Sequence, residues 1–186
     1  MPDYLIEITD SQCHVVLDAE HLRSVARYVL AEEHVQGATI SIAIVDNPTL
    51  RGINVQYLNH DYDTDVISFL LECDPDPELL PNAAAETGRG RGKRIEGDIA
   101  ISAEMAAEVA TGFGWGPADE VVLYLVHGLL HSVGYDDLSP DEKRLMRSRE
   151  QTLLSHWDLT PSYSETDSNQ DESDQPPPSH AQEADS

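Results

Sequence analysis

The sequence predicts an α+β fold in which a small mixed β-sheet packs against several helices in one domain. Two observations predict it. Short segments that are apolar, or that alternate apolar and polar residues, predict strands, and longer segments with apolar residues at helical spacing predict helices. The chain contains both kinds of segment. The chain has 186 residues, 40% of them hydrophobic. This length provides one core, and this apolar fraction is too high for a wholly disordered chain.

The strand predictions rest on alternation and on runs of β-branched residues. Alternation predicts a first strand at 4–8, and a short β-branched run makes 14–17 a further candidate. The segment 39–45 is almost continuously apolar, so we expect a strand covered on both faces. Strands are also predicted at 65–71 and 95–101. The sheet should therefore have four or five strands.

Capping residues and apolar spacing predict two helices in the first third of the chain. Asp18 can cap a helix over 19–34, and Gly37 lies just past its expected end. Asn47 can cap a second, short helix with Pro48 at its first position.

Three more helices are predicted after the last strand. The first covers 103–110 and ends at the glycine-rich segment 111–116. Pro117 opens the next helix, which has almost no polar face and therefore belongs in the core. The last helix covers about 139–156 and begins with a Ser-Pro-x-Glu capping box at Ser139.

The segment 72–94 is rich in Pro, Asp, Ala, Gly and Arg and has little hydrophobic pattern, which predicts a long mobile loop. Loops of that length are often functional. Eight of the eleven basic residues lie in two short stretches, Arg89, Arg91, Lys93 and Arg94 on this loop, and Lys143, Arg144, Arg147 and Arg149 on the last helix.

The charge balance is strongly acidic, with 35 Asp and Glu against 11 Lys and Arg and a net charge of -24. Nucleic-acid binders usually present a basic face, because phosphate neutralisation supplies much of their affinity. The composition therefore argues against generic RNA or DNA binding, and any RNA contact must be local. A salt-adapted acidic surface is an alternative explanation.

Composition also predicts the domain boundary and the compartment. Residues 160–186 are acidic and Pro-rich and contain no Lys or Arg, which predicts a disordered tail behind a domain over 1–159. The N-terminus has no basic segment followed by an apolar one, and no apolar run approaches the roughly 18 residues of a membrane helix. Cys13 and Cys73 are too few for a disulfide scaffold. We expect a cytoplasmic protein with no membrane partner.

One group of residues has the spacing of a metal-binding site. His127 and His131 lie four residues apart on the predicted core helix, so both imidazoles face the same side and can share a metal ion. Gly134 can end the helix in a left-handed turn that returns Asp137 toward the histidines. The spacing matches the metzincin zinc pattern, with Asp in place of the last His. Two His and one carboxylate leave a coordination position for water, which is typical of a catalytic site.

Two alternatives compete with a hydrolytic metal site. His127 and His131 could be hydrogen-bonded histidines on a mostly apolar helix. A protease is disfavoured, because zincin proteases need a Glu directly after the first His and that position is Gly128.

Three blocks of the chain resemble the YbeY family of bacterial endoribonucleases and rRNA maturation factors. They are INVQYLNHDYDTDVISF at 53–69, EGDIAIS at 96–102 and HGLLHSVGYDD at 127–137, and the likeness covers about residues 3–157. The resemblance implies a zincin-like fold and a metal-dependent endoribonuclease directed at single strands, acting in rRNA processing and ribosome quality control. It implies one divalent metal per chain, with Zn²⁺ as the expected ion, held by His127, His131 and Asp137.

The chain departs from the family pattern at two positions. Asp137 replaces the family's third His, and Leu58 replaces an Arg associated with activity, so that role is not carried over. Arg89, Arg91, Lys93 and Arg94 are then the candidates to bind RNA phosphates. No general base is identifiable: Asp136 and His60 are as well suited to structural roles, and a structural role is also expected for Thr64, Asp65 and Ser68.

The implied partners are rRNA and ribosomal small-subunit or assembly proteins, and no DNA. The alternative function is a non-catalytic, ribosome-associated assembly factor with a structural metal site. The acidic surface is at least as compatible with basic ribosomal proteins as with naked RNA. A peptidase that uses the same metal geometry is a third hypothesis.

Overall fold

The sheet has four strands in the order β1-β2-β4-β3, three of them parallel and β3 antiparallel at one edge. The computed structural model describes residues 2–81, 85, 87–161 and 163. The strands are β1 Asp3–Asp10, β2 Gly37–Val45, β3 Val66–Pro75 and β4 Lys93–Ser102. The helices are α1 Ala19–Glu32, α2 Asn47–Ile53, α3 Ala103–Phe113, α4 Pro117–Val133 and α5 Pro140–Leu154. This arrangement confirms the predicted α+β fold with a small mixed sheet.

The main core lies between the sheet and α4, with α1, α3 and α5 packed around that helix. In β2 the isoleucines Ile40, Ile42 and Ile44 are buried in this core, while Thr39 and Ser41 are exposed. The expectation that β2 is covered on both faces is therefore wrong for its first half. The second face is covered only near the end of the strand, where α2 packs its Leu50 against the sheet.

Helix α4 is the central helix, as predicted, and it comes very close to the sheet at Gly128. A Cβ atom at this position would lie 3.1 Å from Cγ2 of Ile99 and 3.2 Å from Cγ2 of Val66. The residue that follows the first histidine therefore faces packed strand side chains. A larger side chain there would require these strand side chains to shift by a few tenths of an ångström.

Two local predictions near the N-terminus are wrong. Residues 14–17 are not a strand, because the Gln12 side chain organises a turn: its Oε1 accepts from the backbone N–H groups of His14 and Val15 at 2.6 and 2.9 Å. The turn after α1 is made by His34, with φ of 59°, and Gly37 instead opens β2.

Other element boundaries also differ from the prediction. Asp46, not Asn47, caps α2, and a five-residue π-helix, Asn54–Leu58, continues it. β3 and β4 together take six residues from the predicted loop 72–94, because the hairpin pairing extends to Pro75 opposite Lys93. α3 extends three residues into the glycine-rich segment and ends at Gly114, with φ of 73°.

The chain after α5 remains against the domain for several residues. A short 3₁₀ turn, Ser155–Trp157, follows α5, Pro161 is buried, and Tyr163 is half-buried. Most of the predicted tail, residues 162 and 164–186, lies outside the described residues. None of the helices in the described part of the chain combines the length and apolar character that crossing a bilayer requires.

Candidate metal centre

The structure brings His127, His131 and Asp137 together at the C-terminal end of α4. One ligand atom from each residue lies within 4.8 Å of the others. The two Nε2 atoms are 3.0 Å apart, and the Asp137 carboxylate oxygens lie 3.9 Å from Nε2 of His127 and 3.8 Å from Nε2 of His131. Three donor atoms thus converge on one point.

The other nitrogen of each imidazole is already bonded, which fixes both rings. Nδ1 of His127 lies 2.7 Å from Oε1 of Glu150, a buried carboxylate on α5. Nδ1 of His131 lies 3.1 Å from the backbone carbonyl oxygen of Tyr135. With Nδ1–H donating in each case, both Nε2 atoms are left to bind a metal. Such outer hydrogen bonds orient metal-binding histidines in general.

The turn after α4 places Asp137. Gly134 adopts φ of 108°, which only glycine adopts easily, and its N–H donates to the carbonyl oxygen of Leu130. Oδ1 of Asp136 then accepts from the N–H of Asp137 at 2.8 Å. This bond gives Asp136 a structural role in the turn.

The protonation of the two histidines differs because their surroundings differ. Burial alone would lower the pKa of His127, but the hydrogen bond and charge of Glu150, with the charges of Asp65 and Asp137, outweigh burial and raise it. Burial, followed by the charge of His127, lowers the pKa of His131. Without a metal, His127 therefore binds a proton more readily than His131 does.

These residues fit a divalent metal ion. Two nitrogens bound to one tetrahedral zinc ion would be about 3.3 Å apart, close to the Nε2 separation found here. The ion would lie between the two Nε2 atoms and the Asp137 carboxylate, and the Glu150 carboxylate would balance part of its charge through His127. Imidazole and carboxylate are both accepted zinc ligands, and a site with two imidazoles and one carboxylate keeps a position for water.

A cavity of about 360 Å³, the metal cavity, opens beside His127 and Asp137. Its lining combines His127 and Asp137 with carboxylates and cations, including Asp65, Glu120, Glu150, Lys143 and Arg147. The cations that reach the site thus come from the second basic stretch, on α5. Tyr163 also lies here, and its hydroxyl donates to Oε2 of Glu150 at 2.7 Å.

A second cavity of about 380 Å³ lies along β3 and is called the edge-strand cavity. His131 lines it, together with Leu58, His60, Tyr62, Thr64 and Ser68. Leu58, where the resemblance led us to expect an Arg, thus shares a cavity with His131 and gives it an uncharged side chain. Asp65 accepts from the N–H of Val66 at 2.8 Å, as a structural role requires.

The first basic stretch is divided among different places. Nη1 of Arg89 donates to the carbonyl oxygen of Gly134 at 2.8 Å, and Nζ of Lys93 donates to that of Val133 at 2.7 Å. Both thus bind the C-terminal end of α4, where positive charge is favourable. Arg94 lines a different cavity with Asp3 and Asp74, and Arg91 is exposed. That these four residues bind RNA remains a prediction, but they do not form one cluster.

Two features of the site were not predicted from the sequence. Glu150 stands four residues after the buried Met146 on α5, so a carboxylate on an apolar helix face was the available signal. Glu33, directly after α1, is fully buried. Its carboxylate accepts hydrogen bonds from Nε of Arg149 at 2.6 Å and from the hydroxyl of Tyr135 at 3.1 Å. This network holds the residue whose carbonyl orients His131, and no local pattern indicates it.

The fold and the site together define a small α+β domain with a candidate metal-binding centre on its central helix. The comparisons with known proteins agree. Residues 6–158 match the family model described as Endoribonuclease YbeY. A curated protein of that name from Salinibacter ruber is 39% identical over 138 residues, which cover 74% of this chain and 82% of that protein. The chain belongs to the YbeY family.

Two further relatives carry the same name and are matched over nearly their whole length. The Endoribonuclease YbeY of Carboxydothermus hydrogenoformans is 35% identical over 153 residues, covering 81% of this chain and 96% of that protein. The one from Bacillus licheniformis is 34% identical over 158 residues, with coverages of 84% and 96%. The likeness therefore extends over the whole domain.

Proposed function

We propose that this protein is a metal-dependent endoribonuclease that cuts single-stranded RNA during rRNA processing and ribosome quality control in the cytoplasm. The observation that carries the proposal is the convergence of His127, His131 and Asp137 beside a cavity that also holds cations. Membership of a family named for endoribonuclease activity supplies the substrate class. The ion would be one divalent metal per chain, with Zn²⁺ as our first choice.

The side chains of the metal cavity would divide the work. A metal ion held by His127, His131 and Asp137 would supply Lewis-acid polarisation and water activation. Glu150 keeps His127 in the tautomer that offers Nε2. Lys143 and Arg147, which line the cavity, would stabilise the negative charge that an RNA phosphate gains in the transition state.

Glu120 is our candidate for the proton-transfer group. It lines the metal cavity two turns before His127 on α4, and the residue is only 6% exposed. Burial, the largest effect, raises the pKa of its carboxyl group, which suits a group that must accept and return a proton. Asp65 is less suited, because its carboxylate is engaged by the N–H of Val66 and the hydroxyl of Thr64.

The test combines metal content with RNA cleavage. Tag-free protein purified without chelator should contain about one zinc per chain, and Asp137→Ala should lose both the metal and cleavage of an unstructured RNA. Asp141→Ala removes a surface carboxylate that pairs with Arg144 and should change neither. A folded wild-type protein without metal and without RNA cleavage would refute the proposal.

The acidic surface favours one other candidate. A net charge of -24 is suited to basic ribosomal proteins, so the chain could act as an assembly factor with a structural metal. Under that alternative, the His127→Ala protein would still sediment with small ribosomal subunits, and wild-type protein would not cut RNA. The cleavage assay therefore decides between the two functions.

A further inference from the structure

We propose that the stacked rings of His60 and Tyr62 form a platform that binds one unpaired nucleobase of the RNA substrate beside the metal centre. The inference rests on the proposed function and adds a substrate subsite to it. The two ring centroids are 5.3 Å apart with planes 19° from parallel, and the Tyr62 hydroxyl lies 3.1 Å from Nδ1 of His60.

The ring pair is exposed although it consists of large side chains. The Tyr62 residue is 56% exposed, and His60 is exposed as well. Both line the edge-strand cavity, and His131 of the ligand triad lines the same cavity. A strand of RNA that reaches the metal from this side would therefore pass the rings.

The backbone that carries the rings is held in place. Asn59 ends the π-helix in a left-handed conformation, with φ of 59°. Nδ2 of Asn54 donates to the carbonyl oxygen of Tyr62 at 3.0 Å, and Nε of Arg51 donates to Oδ1 of Asp61 at 2.8 Å. A platform fixed before binding loses little conformational entropy when a base stacks on it.

The chemistry of the cavity favours a base over a phosphate. The described residues of its lining include no Lys or Arg, and Leu58 and Leu70 add apolar surface. A phosphate would gain little in such a place. A nucleobase presents a neutral π-face, and stacking on aromatic side chains supports single-strand binding without a basic groove. Stacking thus offers an acidic protein a source of RNA affinity that its net charge does not.

The experiment compares a ring deletion with a base deletion. Binding of a short, dye-labelled, unstructured RNA to the metal-loaded protein is followed by stopped-flow anisotropy, which records binding before cleavage, and kcat/KM is measured in parallel. Tyr62→Ala should weaken binding about 5- to 100-fold. We then replace one nucleotide at a time by an abasic ribose. At one position, removing the base should weaken binding to the wild-type protein by the same factor as Tyr62→Ala weakens binding of intact RNA. At that position, Tyr62→Ala should add no further loss.

Two variants control for the chemistry and for the fold. Tyr62→Phe keeps the ring and should bind nearly as wild type. His156 stacks on Tyr28 with ring centroids 4.1 Å apart, and neither residue is among the described lining of the two cavities. His156→Ala therefore removes a similar Tyr–His stack and should leave RNA binding unchanged.

The outcomes separate this inference from the proposed function. If Tyr62→Ala binds and cuts RNA like wild type, or weakens intact and abasic RNA equally at every position, the platform is refuted while the nuclease function stands. If wild type binds RNA without cutting it, the nuclease function fails and the platform is still tested by binding. If wild type binds no RNA and an extended peptide occupies the edge-strand cavity instead, both fail.

Discussion

Oε1 of Glu150 lies 2.7 Å from Nδ1 of His127, so a carboxylate on α5 fixes the orientation of a metal-binding candidate on α4. Glu150 is only 2% exposed, and its second oxygen accepts from the hydroxyl of Tyr163. Because both carboxylate oxygens are hydrogen-bonded and the residue is buried, the Glu150 side chain is held in one orientation. The packing of α5 on α4 therefore determines how His127 presents its Nε2.

Removing the Glu150 carboxylate should weaken metal binding. We expect Glu150→Gln to lower zinc affinity about 10- to 100-fold, because the amide keeps a hydrogen bond to His127 but loses the charge that supports it. Competition with a chromophoric chelator measures the affinity. Glu108→Gln, at an exposed position of α3, is the control and should change nothing. Unchanged zinc affinity in Glu150→Gln would mean that Glu150 is only a packing residue.

Lys93 and Arg91 should respond differently, although both belong to one basic stretch. Nζ of Lys93 donates to the carbonyl oxygen at the end of α4, whereas Arg91 is exposed. We expect Lys93→Met to lower the unfolding free energy by about 1–2 kcal/mol, since a helix-end carbonyl loses a charged donor. Urea denaturation measures this loss.

Arg91→Glu should leave the unfolding free energy within about 0.5 kcal/mol of wild type, because the side chain is exposed. If the loop binds RNA, Arg91→Glu should also weaken cleavage and reduce its dependence on salt. Salt-independent, wild-type cleavage by this variant would remove the loop from the RNA-binding surface.

The sequence predicted the features that local patterns determine. Helix α4, the His pair one turn apart and the turn at Gly134 depend on residues close in sequence, and the structure contains all three. The extent of the β3–β4 hairpin depends on pairing across the loop, so the prediction stopped at 71 where pairing continues to Pro75. The same cause explains why Glu150, 23 residues from His127, received no role: only the packing of α5 on α4 brings them together.

Glu120 should make the metal-free protein less stable as the pH rises. Burial raises the pKa of its carboxyl group above the ordinary 4.5, so between the two pKa values the folded state binds more protons than the unfolded state. Stability is then lost as the pH rises through the folded-state pKa. Urea denaturation in chelator over a pH series should show this loss in wild type and a smaller one in Glu120→Gln. Identical pH profiles would contradict the raised pKa.

The chain after Thr160 should contribute to stability only through its first residues. Pro161 is buried, and Tyr163 bonds to Glu150 and covers the guanidinium of Arg147 at 4.5 Å. Deleting 161–186 should therefore lower the unfolding free energy by about 1–3 kcal/mol, since it exposes apolar surface and removes a partly buried hydrogen bond. Deleting 164–186 keeps both contacts and should leave the unfolding free energy near that of wild type.

Tyr163→Phe separates the hydrogen bond from the packing of the ring. The variant keeps the ring over Arg147 but leaves Oε2 of Glu150 without its hydroxyl donor. We expect about half of the loss seen on deleting 161–186, together with a small fall in zinc affinity, because Glu150 then holds His127 less firmly. Equal stability of the two truncated proteins would show that Pro161 and Tyr163 do not contribute to the fold, and the domain would then end at 159.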